Sequence, residues 1–168
     1  MIRKGTMHDL ARIMEIVTQT LFIMKKQHND QWTNEYPQKQ VFEQDVRNGS
    51  LYVEEKNGEV IGSITVDQHE AAEYEPISWD SDDPAYVFHR LLVDPRERRV
   101  GTASSLLAFA EQLAISHNVP YMKADTYSLN KGMQRFFERN GYELRGEMSF
   151  HGKNHPFYCY DKRLDEKR

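Results

Sequence analysis

Arg96, Arg98 and Arg99 precede Gly101 and a run of small residues, Thr102, Ala103, Ser104 and Ser105. Residues of these types in this order suit an anion site at a strand-to-helix turn. The first N–H groups of a helix have no acceptor inside it, and the helix dipole is positive there. Small side chains let a bulky phosphate approach the backbone. The amides from Arg99 to Ser104, helped by arginine, are therefore candidates to hold a phosphate group. Upstream stands His89, whose neutral imidazole can accept a proton at pH 7. Between Asp67 and Asp83 lie Asp67, Glu70, Glu73, Glu75, Asp80, Asp82 and Asp83, with no lysine or arginine among them. Such a run is either a solvated face or a rim that concentrates a cationic amine. Tyr74, Glu75 and Trp79 within it are candidate substrate contacts. The single cysteine, Cys159, sits in the alternating run Phe157 to Tyr160 and is expected to be a buried strand thiol. No G-x-x-x-x-G-K-[ST] occurs, which argues against a phosphate-loop nucleoside triphosphatase. No metal site is expected.

These residues need elements to position them. Tyr86 to Val93 is nearly all apolar, interrupted by His89 and Arg90, and reads as a central strand. Asp94-Pro95 stops it. Val100, Ala103, Leu106, Leu107, Ala110, Leu113 and Ala114 then fall on one helical face. Tyr121 to Thr126 is the following strand, expected to run parallel to the first. Asn130 is placed to cap a helix from Lys131 to about Asn140, ended by Gly141. Upstream, Thr6-x-x-Asp9 opens a helix whose stripe runs Leu10, Ile13, Met14, Val17, Leu21 and Met24. An aromatic, polar loop follows, from His28 to Pro37, carrying Trp32 and Tyr36. A short helix, Gln38 to Arg47, leads to strands Leu51 to Glu55 and Val60 to Val66 around Asn57-Gly58, a hairpin signal. Tyr142 to Phe150 and Phe157 to Leu164 read as a closing antiparallel pair.

Arg98-x-x-Gly101-x-Ala103 resembles the R/Q-x-x-G-x-G/A signature of the GNAT superfamily, the acyl-CoA-dependent N-acetyltransferases. Phe136 to Tyr142, F-F-E-R-N-G-Y, is similar to that family's Y-x-K-x-G-F ending. The resemblance implies an α/β GNAT fold: a mixed, twisted sheet of six to seven strands with helices on both faces. It implies acetyl-CoA as the cofactor and an acetyl group moved to a primary amine; since no plausible nucleophilic residue presents itself, direct attack in a ternary complex is expected. It places the cofactor on Leu91, Leu92, Val93, Arg98, Arg99, Val100, Gly101, Thr102, Ala103, Ser104, Asn130 and Phe137. Leu91 to Val93 would pair with the pantetheine arm, and an N–H near Leu92 would receive the thioester oxygen. Trp32 and Tyr36 would wall the acceptor pocket. His89 is the candidate base, with Asp125, Tyr127 and Glu75 weaker ones. The family's tyrosine acid aligns with Phe137, which cannot donate a proton; Tyr127 or Tyr158 would substitute, or the thiolate would leave unassisted. That departure also admits a noncatalytic protein that senses acyl-CoA through protein contacts.

At 168 residues the chain is expected to be one domain, 1–168. Net charge is −4, which disfavours indiscriminate nucleic-acid binding. No apolar run is long enough to span a membrane, and no signal peptide is visible, so a cytoplasmic protein is expected. The acceptor is expected to be a small-molecule amine, with a weak lean to a cationic one, or a peptide amine. A homodimer is admitted.

Overall fold

The structure is a computed structural model and describes residues 1–98 and 100–165. Among these residues seven strands and four α-helices follow one another: β1 (Ile2–Lys4), α1 (Leu10–Lys26), α2 (Lys39–Arg47), β2 (Leu51–Lys56), β3 (Glu59–Asp67), β4 (Tyr86–Val93), α3 (Thr102–Ser116), β5 (Tyr121–Tyr127), α4 (Lys131–Arg139), β6 (Glu143–Met148) and β7 (Phe157–Arg163). The strands make one mixed sheet in the order β1-β2-β3-β4-β5-β7-β6. The chain divides into two compact units, residues 1–66 with 88–110, and residues 67–87 with 111–168.

In the first unit the capping box at Thr6 and Asp9 forms, as its spacing predicts, and α1 follows it. Leu10, Ile13, Ile16 and Val17 of α1 pack with Phe42, Leu51, Val53, Val60 and Leu92 into one core. The hairpin β2–β3 is antiparallel from Leu51↔Thr65 to Lys56↔Glu59, turning at Asn57 and Gly58. Both turn residues are left-handed, φ +53° and +80°, which is why Asn-Gly is favoured there. β4 carries a departure the sequence did not announce. Arg90 has φ +48°, a left-handed residue inside a strand.

In the second unit β4 enters beside β5 in parallel, Tyr86 with Met122 and Val87 with Lys123. β7 inserts between β5 and β6 and runs antiparallel to both. Tyr74, Val87, Tyr127, Met148, Phe157 and Cys159 form one core cluster of this unit. Asn130 caps α4 by accepting from the Met133 N–H at 3.1 Å. Gly141, φ +85°, follows its end as a left-handed stop.

Candidate active site

The turn after β4 is built from Asp94 outward. Its backbone N–H donates to the Ile61 carbonyl at 2.8 Å, and its carboxylate accepts from the Arg96 N–H at 2.9 Å. That bond caps the single turn Pro95–Glu97, with proline where no N–H is needed. The Asp94 side chain is fully buried and also receives the guanidinium groups of Arg12 and Arg96. Arg96, foremost, holds the Asp94 carboxyl down to about 2, against the opposing effect of burial. Arg98, Val100 and Gly101 are exposed, whereas Arg99 lies outside the described residues. Gly101 has φ +86°, and no atom lies within 4 Å of where a Cβ would stand. The first bond of α3 runs from the Ser105 N–H to the Gly101 carbonyl at 2.9 Å. The amides of Thr102, Ala103 and Ser104 therefore have no acceptor within the helix. An open left-handed glycine before amides that have no acceptor within the helix fits a diphosphate, and Ser104 among them is exposed.

The strand leading to this turn holds Leu91 and Val93 half-buried and Leu92 in the core. His89 is half-buried one residue before the kink. The Arg90 guanidinium reaches Asp45 of α2 through two bonds, Nε to Oδ2 at 3.0 Å and Nη2 to Oδ1 at 2.8 Å. Its third bond, 2.8 Å, goes to the Tyr36 hydroxyl. Burial works against the Arg90 charge, but Tyr36 and Asp45 outweigh it and leave the pKa raised. Trp32, from the same loop as Tyr36, packs partly buried against the first unit's core.

In the second unit Tyr74 is buried, and its hydroxyl donates to Asp125 at 2.6 Å. Burial, reinforced by Asp125, holds that phenol well above its ordinary pKa. Trp79 is half-buried: its indole N–H donates to the Tyr74 carbonyl at 2.9 Å, and the Lys123 ammonium stands 4.5 Å from its ring centre. Glu75 is exposed. Tyr127 is buried with its ring 4.9 Å from that of Phe157. Phe137 is buried edge-on to Tyr160, 5.0 Å between ring centres. The acidic segment does not stand as a bare negative face. Glu70 pairs with Lys123 at 3.0 Å and Asp80 with Arg163 at 2.9 Å. Arg145 and Arg163 also lie within 4 Å of Asp80 and Asp83, respectively. The partners come from β5, β6 and β7, so a window of local sequence could not show them.

Cys159 is buried, and burial, with Asp125 adding to it, pushes its thiol up to about 12. The native protein is therefore expected not to react with an aromatic disulfide reagent at pH 8 over minutes, and to react with one thiol per chain in guanidinium. Native reaction at the rate of free cysteine would contradict this burial. The thiolate is the nucleophile, so a thiol held in this form is inert.

Two features escaped sequence reasoning. The Asp45–Arg90 pair joins residues far apart in the chain; its only signal was an arginine in a mostly apolar strand. Gln134 donates to the Tyr127 and Ser128 carbonyls at 3.3 and 2.8 Å, fixing α4 to the end of β5, and nothing in its spacing marked it. Among the described residues no group of three His, Cys, Asp or Glu is placed to hold a metal, and no helix is long and apolar enough to cross a membrane.

A sequence model of the acetyltransferase (GNAT) family matches residues 14–142. The chain belongs to that family of acetyltransferases, whose acyl donor is acetyl-CoA. Among solved structures it is similar to a protein assigned as an acetyltransferase from Staphylococcus aureus Mu50, with 31% identity, a TM-score of 0.78, and 98% of this chain and 99% of that one covered. It shares its fold with a GNAT acetyltransferase from Streptococcus agalactiae, at 24% identity and a TM-score of 0.85 over 99% of this chain and 96% of that one. A Salmonella typhimurium protein assigned as an acetyltransferase, solved with its cofactor acetyl-CoA, shares the fold at 18% identity and a TM-score of 0.72, over 100% and 95% of the two chains. No curated protein matches. The mixed sheet of seven strands with four helices agrees with the fold expected from the motifs.

Proposed function

We propose that this chain moves an acetyl group from acetyl-CoA to a primary amine by direct attack, with donor and acceptor bound together. The observation that carries it is the turn at Gly101, open on its outer side and followed by three amides without helical acceptors. The Salmonella structure, solved with acetyl-CoA on the same fold, supports the same donor here. When bound, acetyl-CoA supplies the thioester acetyl group. The amides of Thr102 to Ser104, with Arg98 and Arg99, would hold its diphosphate, and Val100, Gly101 and Ala103 would leave room for it. The backbone of Leu91, Leu92 and Val93 would hold the arm, and the Leu92 N–H would receive the acetyl oxygen. Losing one such donor typically costs about 10²–10³ in rate.

His89 would take the proton from the attacking ammonium. Its support is its position on β4, beside the residues assigned to the arm. Tyr127, Asn130 and Phe137 enter on family resemblance alone. Phe137 has no proton to give the leaving thiolate. Direct attack is favoured over a covalent route because the only thiol is buried and protonated at neutral pH. Trp32 and Tyr36 would line the acceptor side, and Tyr74, Glu75 and Trp79 are weaker assignments. With Glu70 and Asp80 paired, the lean to a cationic amine rests on Glu73, Glu75 and Asp82, which are exposed. A cytoplasmic location goes with this reading.

Thiol release from acetyl-CoA over a panel of primary amines tests the proposal. Turnover is expected with at least one amine. His89→Ala is expected to lower kcat by about 10²-fold, at the low end for a general base, with acetyl-CoA Kd unchanged. Tight acetyl-CoA binding with no turnover on any amine would leave only a sensing role. An unchanged kcat in His89→Ala would remove His89 as the base.

A further inference from the structure

Arg90 is the one residue of β4 whose backbone is left-handed. A bulky residue with positive φ is a genuine outlier, and it persists only where its surroundings over-determine it. Here the surroundings are identifiable. Asp45 is 5% exposed and accepts from Arg90 through both oxygens. The Thr65 hydroxyl donates to the same carboxylate at 2.8 Å. The Arg90 side chain is 14% exposed, and its remaining bond goes to Tyr36. A planar fork that bridges a carboxylate and a phenol is a task for arginine and not for lysine.

We propose that Arg90 is a positioning residue: clamped between Asp45 and Tyr36, it holds the kink of β4 and moors the aromatic loop to that strand. The kink acts on chemistry because His89 precedes it and Leu91 and Leu92 follow it. A left-handed residue in a strand interrupts the alternation of its neighbours and re-aims them. The direction of the amides assigned to the acetyl-CoA arm therefore depends on the φ of Arg90. Through Tyr36 the same guanidinium fixes the loop assigned to the acceptor. The functional half of this inference rests on the acetyl-transfer reading; the mechanical half does not.

The test uses the whole protein, with hydrogen exchange over residues 28–37 and 88–93 and acetyl-CoA Kd by calorimetry. Tyr36→Phe leaves the Asp45–Arg90 pair intact. It is expected to speed exchange in 28–37 by about tenfold while leaving 88–93 unchanged. Its acetyl-CoA Kd should stay within about twofold of the parent. Arg90→Met is expected to speed both segments and to weaken acetyl-CoA by about tenfold, with Arg90→Lys between it and the parent. Unchanged exchange in 28–37 for Tyr36→Phe overturns the mooring. A folded Arg90→Met with parental exchange and Kd overturns the clamp. Should Arg90→Met fail to fold, Arg90→Lys and Tyr36→Phe decide by the same exchange readings. If the parent protein does not bind acetyl-CoA, the acetyl-transfer reading falls, and the exchange results still judge the clamp.

Discussion

Asp94→Ala is expected to lower the unfolding free energy by about 3 kcal/mol, at the low end for breaking a buried ion pair. For a chain of this size that is a drop of about 6–12 °C in melting temperature. The Asp94 side chain is fully buried, while that of Arg12 is only 16% exposed. Removing the carboxylate leaves the Arg12 guanidinium with the Val60 carbonyl at 3.0 Å, with Glu15 at 3.3 Å and with Glu59 at 3.6 Å. Those contacts keep the loss from being larger. The cap on the Arg96 N–H goes too. Asp94→Asn can keep that cap, since asparagine ranks with aspartate there, so it should recover part of the loss. The pH dependence has a definite sign. The carboxyl lies at about 2 in the folded chain against an ordinary 3.8. Its contribution is thus fully present above about pH 4, and it disappears as pH falls through 2. The shift corresponds to on the order of 2 kcal/mol. Denaturant melts of parent and Asp94→Ala should therefore converge between pH 5 and pH 2. Parallel curves over that range would show that the pair contributes nothing through its charge.

Gly62→Val is the second large effect, and it runs against strand propensity. Valine favours strands and glycine weakens them. A Cβ at Gly62 would nevertheless stand 2.9 Å from the Leu92 carbonyl oxygen, 3.1 Å from Leu106 Cδ1 and 3.2 Å from Thr102 Cγ2. The oxygen is backbone and cannot swing aside. Overpacking of this kind costs about 1–3 kcal/mol for a methyl, and valine adds two more carbons. Gly62→Ala is expected to fold with reduced stability, and Gly62→Val to lose about 3 kcal/mol or more. Thr102 and Leu106 belong to the first turns of α3, so the strain falls on the segment assigned to the diphosphate. Folded Gly62→Ala should then bind acetyl-CoA about tenfold more weakly. A Gly62→Val protein that melts with the parent would show that β3 and β4 part without penalty at this point.

Much of the fold is legible where local chemistry decides it. Asn57-Gly58 specifies a turn because both positions need positive φ. Thr6 with Asp9, and Asn130 ahead of Met133, cap helices with partners three residues away. Legibility fails where a distant partner decides. Periodicity places Val100 on the apolar face of the helix after the arginines, yet it is exposed and precedes α3, because Gly101 turns the chain at φ +86°. Thr102 is buried at the start of the helix instead. The seating of β7 between β5 and β6 depends on long-range pairing that alternation alone does not encode. Of the candidate site, the glycine turn is readable as a local motif. The Asp45–Arg90–Tyr36 bonds are not, since each partner alone looks like ordinary amphipathic sequence.

The left-handed arginine also constrains how this chain can diverge. Its backbone suits glycine or asparagine better than any long side chain, so ordinary single replacements meet both a twisted main chain and a stranded carboxylate at Asp45. A lineage leaving this arrangement changes positions 45 and 90 together, or passes through an ancestor with a loosened strand and loop. Covariation between an acid on the second helix and a base in the fourth strand is the trace such a history would leave.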